Sequence, residues 1–162
     1  MKMKSLFQSW LLLFVVLAFG LTFGLSWYLH RKEARENAFL LLYEGVCKKD
    51  ESAEEILEKA TEERALEIND YVKDVFFGVY QNMEALEGVI AKNLVGWKKE
   101  RVSLDSMAIL RLGAYEILYR EDIPAKVSIN ECIELSKKYD DEKTYIFVNG
   151  VLNAIAKEQA QA

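Results

Sequence analysis

The sequence predicts an all-α fold in one domain, set behind a hydrophobic N-terminal segment. Three observations carry this prediction. The 162 residues hold 1 Pro and 8 Gly, and Gly20 and Gly24 fall in the apolar opening, so helix breakers are scarce in the body. From Arg31 onward apolar residues recur at steps of three and four, with no strand-like alternation. A chain of this length that is 51% hydrophobic can bury one core and leaves little room for a second.

The segment from Ser5 to Leu29 carries no formal charge and is long enough to cross a bilayer. Lys2 and Lys4 precede it, Arg31, Lys32 and Arg35 follow it, and Trp10, Trp27 and Tyr28 sit near its ends, where interfacial aromatics belong. A cleaved signal peptide fits less well, because the stretch is long and no clear A-x-A site follows. The domain then opens with a helix over 31–47, whose apolar arc holds Ala34, Ala38, Leu41, Leu42 and Val46. After a polar break at 48–52, residues 53–63 form an acidic, solvated stretch with Glu54, Glu55, Glu58, Glu62 and Glu63. Residues 66–93 keep helical spacing from Ile68 to Ile90.

The helix over 104–120 is apolar in nearly every direction and is therefore the central one. Its polar strip is narrow: Asp105, Ser106, Gly113, Glu116 and Arg120. Arg111 points into the apolar arc and is expected to be buried against a carboxylate from another helix. Asp122-Ile123-Pro124 breaks the chain, and helices over about 127–139 and 143–157 complete the domain. Gly150, in the middle of the last helix, costs about 1 kcal/mol relative to Ala and suggests close helix approach there.

The chemistry available is limited. The only histidine, His30, sits at the edge of the apolar run, which removes most triad and zinc-hydrolase chemistry. Cys47 and Cys132 are too far apart for a metal knuckle and are expected to pack as small apolar groups. Phosphate-loop, dinucleotide and nucleophile-elbow motifs are absent. The expectation is a protein without catalytic residues, metal or cofactor. The net charge of −5 gives no general pull toward nucleic acid, so any such contact needs a local basic patch.

One such patch opens the domain. Lys32, Arg35, Phe39 and Tyr43 fall within an arc about 80° wide at the helical step of 100°. Basic groups there can hold phosphates while an aromatic stacks on an unpaired base. Phe39 can equally be core, and Arg31, Lys32 and Arg35 can flank a membrane. Lys98, Lys99 and Arg101 form a second patch, and Lys137, Lys138 and Lys143 a third. One RNA path over all of them requires that they converge in space.

The body from about Arg31 to Ala156 resembles the NusB family of bacterial transcription antitermination factors. The resemblance rests on motifs in a fixed order: Arg31-Lys32-Glu33-Ala34-Arg35-Glu36-Asn37-Ala38 with Leu42-Tyr43; Ile109-Leu110-Arg111 and Ala114-Tyr115-Glu116-Ile117-Leu118; Asp122-Ile123-Pro124; Val127-Ser128-Ile129-Asn130-Glu131 with Glu134-Leu135-Ser136-Lys137; and Phe147-Val148-Asn149-Gly150-Val151-Leu152. It implies two packed three-helix bundles and an RNA-binding adaptor rather than an enzyme. It further implies binding of boxA RNA together with the ribosomal protein NusE, and entry into the RNA polymerase antitermination complex with other Nus factors on ribosomal RNA operons. The family's arginine-rich opening maps to Arg31, Lys32 and Arg35 as phosphate contacts, with Tyr43 as a base or sugar contact and Lys137 and Lys143 as additional RNA contacts. Asn149, Asn130 and Glu131 read as structural, with Glu131 or Glu134 as the partner of Arg111. On this assignment Arg35→Glu weakens RNA binding without changing melting, and Arg111→Ala costs about 3–5 kcal/mol.

Three departures from the family pattern stand out. Glu33 occupies a frequently basic position, Cys132 and Ser136 stand where small alanines are common, and residues 1–30 precede the family's usual start. The expected layout is therefore a hydrophobic segment over 1–30, the helical domain over 31–158 and a tail over 159–162. Residues 1–30 are either a membrane anchor or lie upstream of the true start of translation. No Met occurs between Met3 and Met83, so an initiation at Leu29 would go unnoticed. An anchor would place the RNA-reading helix beside lipid phosphates that compete for the same cations, which favours the misassigned start and a cytoplasmic protein. The alternative is a membrane-tethered helical interaction protein of the same fold. Related helical domains also open ribosomal RNA cytosine methyltransferases, but this chain has no room for their cofactor-binding domain.

Overall fold

A computed structural model of the chain describes residues 30–64, 66–97, 101–141 and 143–161. The described residues are helices and short connections. Residues 30–47 are helical (α1), followed by α2 (Ala53–Arg64), α3 (Asp70–Gln81), α4 (Met83–Asn93), α5 (Leu104–Tyr119), α6 (Ala125–Tyr139) and α7 (Thr144–Gln159). The chain divides into two units, Met1–Glu33 and Ala34–Ala162. The helical bundles belong to the second. The uncharged run over 5–29, and with it the anchor reading, lies outside the described residues. Among the described residues no helix is long and apolar enough to cross a membrane.

Local sequence explains most helix ends. Ser52 and Glu55 form a reciprocal capping box at α2: the Ser52 N–H donates to Glu55 Oε2 (2.8 Å) and the Glu55 N–H donates to Ser52 Oγ (3.2 Å). The Asn69 side chain caps α3 by accepting from the Val72 N–H, and Ser103 caps α5 by accepting from the Ser106 N–H. The periodic run over 66–93 is two helices. They part at Asn82, whose amide Nδ2 and backbone N–H both donate to the Gly78 carbonyl (2.8 and 3.1 Å). This side chain competes with the helical ladder, which apolar spacing does not reveal. Gly96, at φ +80°, allows the turn after α4.

α5 is central. It packs on α6 and α7, which also pack on each other, making one three-helix bundle; it further meets α3 and α4. α1, α2 and α3 form the other bundle. Asn37 of α1 donates to the Glu67 carbonyl before α3 (3.1 Å), Arg64 of α2 pairs with Glu44 of α1, and the Tyr80 hydroxyl of α3 lies against Gly45 of α1. Ala38, Leu41, Leu42, Ile56, Val75, Phe76, Ile109, Leu110, Leu112 and Leu152 share one continuous core. The acidic residues of α2 are exposed, as expected.

The close helix approach is at Gly113, not at Gly150. A Cβ on Gly113 would lie 2.7 Å from Leu152 Cδ1 and 2.9 Å from Cys132 Sγ, so α6 and α7 close on α5 where it lacks a side chain. Gly150 is exposed with nothing within 4 Å of a Cβ. The polar strip of α5 is also not a solvent face: Ser106, Gly113 and Glu116 are buried. Cys132 packs in the core as expected, whereas Cys47 is exposed.

Candidate nucleic-acid interface

The basic-aromatic arc of α1 straddles the boundary between core and solvent. Its inner edge holds Arg35 and Phe39, which are 3% and 1% exposed. Arg35 was expected to contact phosphate, but its guanidinium is committed inside the protein. Nε donates to both oxygens of Glu116 on α5 (3.0 and 3.3 Å), and Nη1 lies 3.8 Å from Glu131 on α6. The Tyr71 hydroxyl of α3 also donates to Glu116. Burial disfavours the arginine's charge, but the surrounding acidic groups, Glu116 foremost, together outweigh it and raise its pKa. Burial, then Glu116, pushes the Tyr71 phenol far up, so it stays a proton donor. Arg35 therefore performs the task expected of Arg111, joining α1, α5 and α6. Arg111 does meet a carboxylate from another helix, Glu87 of α4, but it is only partly buried and the partner is neither Glu131, which faces Arg35, nor Glu134, which pairs with Lys137.

The outer edge of the arc is accessible. Tyr43 is half-buried, its ring 6.2 Å from that of Phe39, and a hydrogen bond with Cys47 one turn on, followed by the charges of Cys47 and Asp105, raises its pKa. Glu36 lies seven residues before Tyr43 and hence on the same face. Lys138 and Tyr139, from the last turn of α6, both donate to Glu36 Oε1, and the Tyr139 ring packs 4.8 Å from Phe39. Arg31 and Lys32 belong to the N-terminal unit, and Lys32 is exposed. Lys137 diverges from Lys138: it pairs with Glu134 (2.7 Å) and lies 5.4 Å from the Tyr145 ring centroid.

Lys143 is exposed on the rim of a second feature, a groove of about 780 Å³ along α7. Arg101 also lines it, so one cation from the second patch and one from the third share this groove, while Lys137 and Lys138 lie outside it. Val95, Trp97, Ile146 and Phe147 make its apolar surface, with the Trp97 and Phe147 rings 4.7 Å apart. Lys98 and Lys99 lie outside the described residues. Three of the exposed large apolar side chains of the described residues, Val95, Trp97 and Ile146, thus share one groove. Sequence spacing missed both this groove and Tyr139. The available signals were an aromatic beside paired lysines at a helix end and a tryptophan followed in sequence by basic residues.

Asp140 joins these elements. Its Oδ2 accepts from Ser103 Oγ (2.7 Å) and Ser106 Oγ (2.6 Å), and its Oδ1 accepts from the Asp141 N–H (2.8 Å), tying the start of α5 to the α6–α7 turn. Burial alone would raise its pKa, but the hydrogen bonds from Ser106 and Ser103 bring it below the usual aspartate value. A carboxylate whose folded pKa is depressed adds stability above its unfolded pKa and loses it as pH falls through the folded value. Asp140→Asn is therefore expected to cost about 1–2 kcal/mol at pH 7. In urea unfolding of both proteins, the gap should narrow as pH drops below about 4. Among the described residues no group of three or more His, Cys, Asp or Glu is placed to hold a metal ion.

The NusB family profile matches residues 32–157. The chain belongs to the NusB family. It is 44% identical over 129 residues to the transcription antitermination protein NusB of Ruminiclostridium cellulolyticum, covering 78% of this chain and 88% of that protein. To the NusB of Bacillus subtilis it is 39% identical over 132 residues, covering 82% and 98%. Among solved structures, T. maritima NusB superimposes with a TM-score of 0.71 at 34% identity over 80% of this chain and 92% of that one. A crystal structure of the antitermination factors NusB and NusE in complex with dsRNA gives 0.70 at 31% identity, over 79% and 96%. The match to the NusB family therefore spans nearly the whole helical domain.

Proposed function

We propose that this chain is a transcription antitermination factor that binds boxA RNA together with NusE and joins the RNA polymerase antitermination complex with other Nus factors on ribosomal RNA operons. The observation that carries this reading is the match to NusB across almost the whole helical domain, including the relative crystallised with NusE and RNA. In the proposed layout residues 31–158 form the working domain, acting in the cytoplasm, preceded by the hydrophobic segment over 1–30 and followed by a short tail. Arg31, Lys32 and Tyr43 contact RNA at the start and outer edge of α1, with Lys137 and Lys143 extending the path. Arg35 acts from inside the fold, holding α1 against α5 rather than touching phosphate. The groove with exposed Trp97 and Ile146 offers NusE an apolar anchor site, since exposed apolar clusters of this kind mark protein contacts.

The test is a titration of labelled boxA RNA with the full chain in detergent micelles, with and without NusE, at fixed salt. Tighter binding with NusE, abolished by scrambling the RNA, is the expected result. Equal binding of boxA and scrambled RNA, with or without NusE, would overturn the reading. Trp97→Ala is expected to remove the gain from NusE while leaving binding of RNA alone unchanged.

A further inference from the structure

The ammonium of Lys138 is held by a carboxylate on the face of α1 that carries Tyr43. Glu36 Oε1 accepts from both Lys138 Nζ and the Tyr139 hydroxyl. The lysine side chain is 57% exposed and Glu36 24%, and Lys138 Nζ lies 5.1 Å from the Tyr139 ring centroid. Tyr139 in turn rests on Phe39, which neighbours Tyr43. A cation, two phenols and one carboxylate thus share a continuous strip from the end of α6 onto α1.

We infer that Lys138 is a phosphate-binding residue of the RNA site and that Glu36 is its built-in competitor, released when an RNA phosphate takes the lysine. This rests on the RNA-binding reading above and adds to it a residue and a means of setting affinity. Three features support it. A surface ion pair is weak and exposed to solvent, so a polyanion can open it. When Lys138 leaves, the Tyr139 hydroxyl still donates to Glu36, so the carboxylate keeps a partner. Glu36 also places a negative charge on the strip that RNA would follow, so in the free protein Lys138 neutralises a charge that would otherwise repel the ligand.

The strip then has a gain set by one residue. Glu36→Gln removes the competitor and retains an acceptor for Tyr139. Lys138→Gln removes the phosphate contact. The experiment measures the affinity of the full chain for labelled boxA and scrambled single-stranded RNA across a range of salt, for wild type, Glu36→Gln, Lys138→Gln and the double variant. Glu36→Gln is expected to tighten binding about threefold or more at low salt. Lys138→Gln should weaken binding and lower the slope of log K against log salt by about 0.7, the contribution of one neutralised phosphate on a single strand. A purely structural clasp would leave that slope unchanged. The gain from Glu36→Gln should vanish in the Lys138→Gln background. An unchanged slope in Lys138→Gln, or weaker binding by Glu36→Gln, overturns the inference. If boxA and scrambled RNA bind alike, the antitermination reading fails while the slope still decides the role of Lys138. If no RNA binds, both fail.

Discussion

Arg35→Ala should destabilise the domain by about 3–5 kcal/mol, the cost of leaving a buried charge without its partner. Glu116 is 0% exposed, and only Arg35 and the Tyr71 hydroxyl reach its oxygens among the contacts described above. Removing the guanidinium leaves a carboxylate that must either ionise unpaired or take up a proton. Urea unfolding followed by far-ultraviolet circular dichroism measures the loss. Glu116→Gln should cost a similar amount, because it leaves the Arg35 guanidinium, 3% exposed, with only Glu131 at 3.8 Å to offset its charge. The double variant Arg35→Met, Glu116→Leu should recover much of the stability, since well-packed apolar groups often replace a buried pair without loss. A change in Arg35→Ala of under 0.5 kcal/mol, of the order expected at a surface position, would show that the arginine lies outside the core.

Phe39→Ala should cost about 3–5 kcal/mol by the same measurement, the usual range for deleting a buried phenyl ring. The ring is 1% exposed and lies between Tyr43 and Tyr139, so its loss opens a cavity between α1 and α6. Phe39→Leu separates this role from a stacking platform for RNA bases. Leucine keeps most of the buried volume and should cost under about 1.5 kcal/mol. If Phe39 only fills the core, Phe39→Leu leaves RNA affinity near that of wild type. If an RNA base stacks on the ring, affinity falls while stability holds, because leucine offers no π-face.

These two residues show where the sequence was legible. Helical spacing located the helices, and the near-continuous apolarity of 104–120 identified α5 as central. The Ser52–Glu55 capping box is a local signal, but apolar spacing read its residues only as a polar break and an acidic stretch. Spacing also put Arg35, Phe39 and Tyr43 on one helical arc, but an arc does not say how far the core boundary cuts into it. That boundary depends on Glu116, 81 residues away in sequence, and on Tyr139 from α6. For the same reason the buried arginine was expected at Arg111, and the carboxylate that decides the matter looked like part of a polar strip. Gly113 and Gly150 make the same point. Both interrupt apolar helices, and only the placement of Leu152 and Cys132 shows which one accommodates a close neighbour. Asn82 broke a run that apolar period alone reads as continuous, because its side chain competes for the Gly78 carbonyl. That Arg101 and Lys143 line one groove was likewise beyond spacing, since they are 42 residues apart in sequence.

The central claim concerns transcription, and transcription tests it most directly. RNA polymerase is run through a template carrying boxA upstream of a terminator, with NusE and the other Nus factors, with and without this protein. The account predicts that adding the protein raises the fraction of full-length transcript, only when boxA is intact and only when NusE is present. Unchanged termination on the boxA template, under conditions where the protein is folded and bound to the RNA, would contradict it.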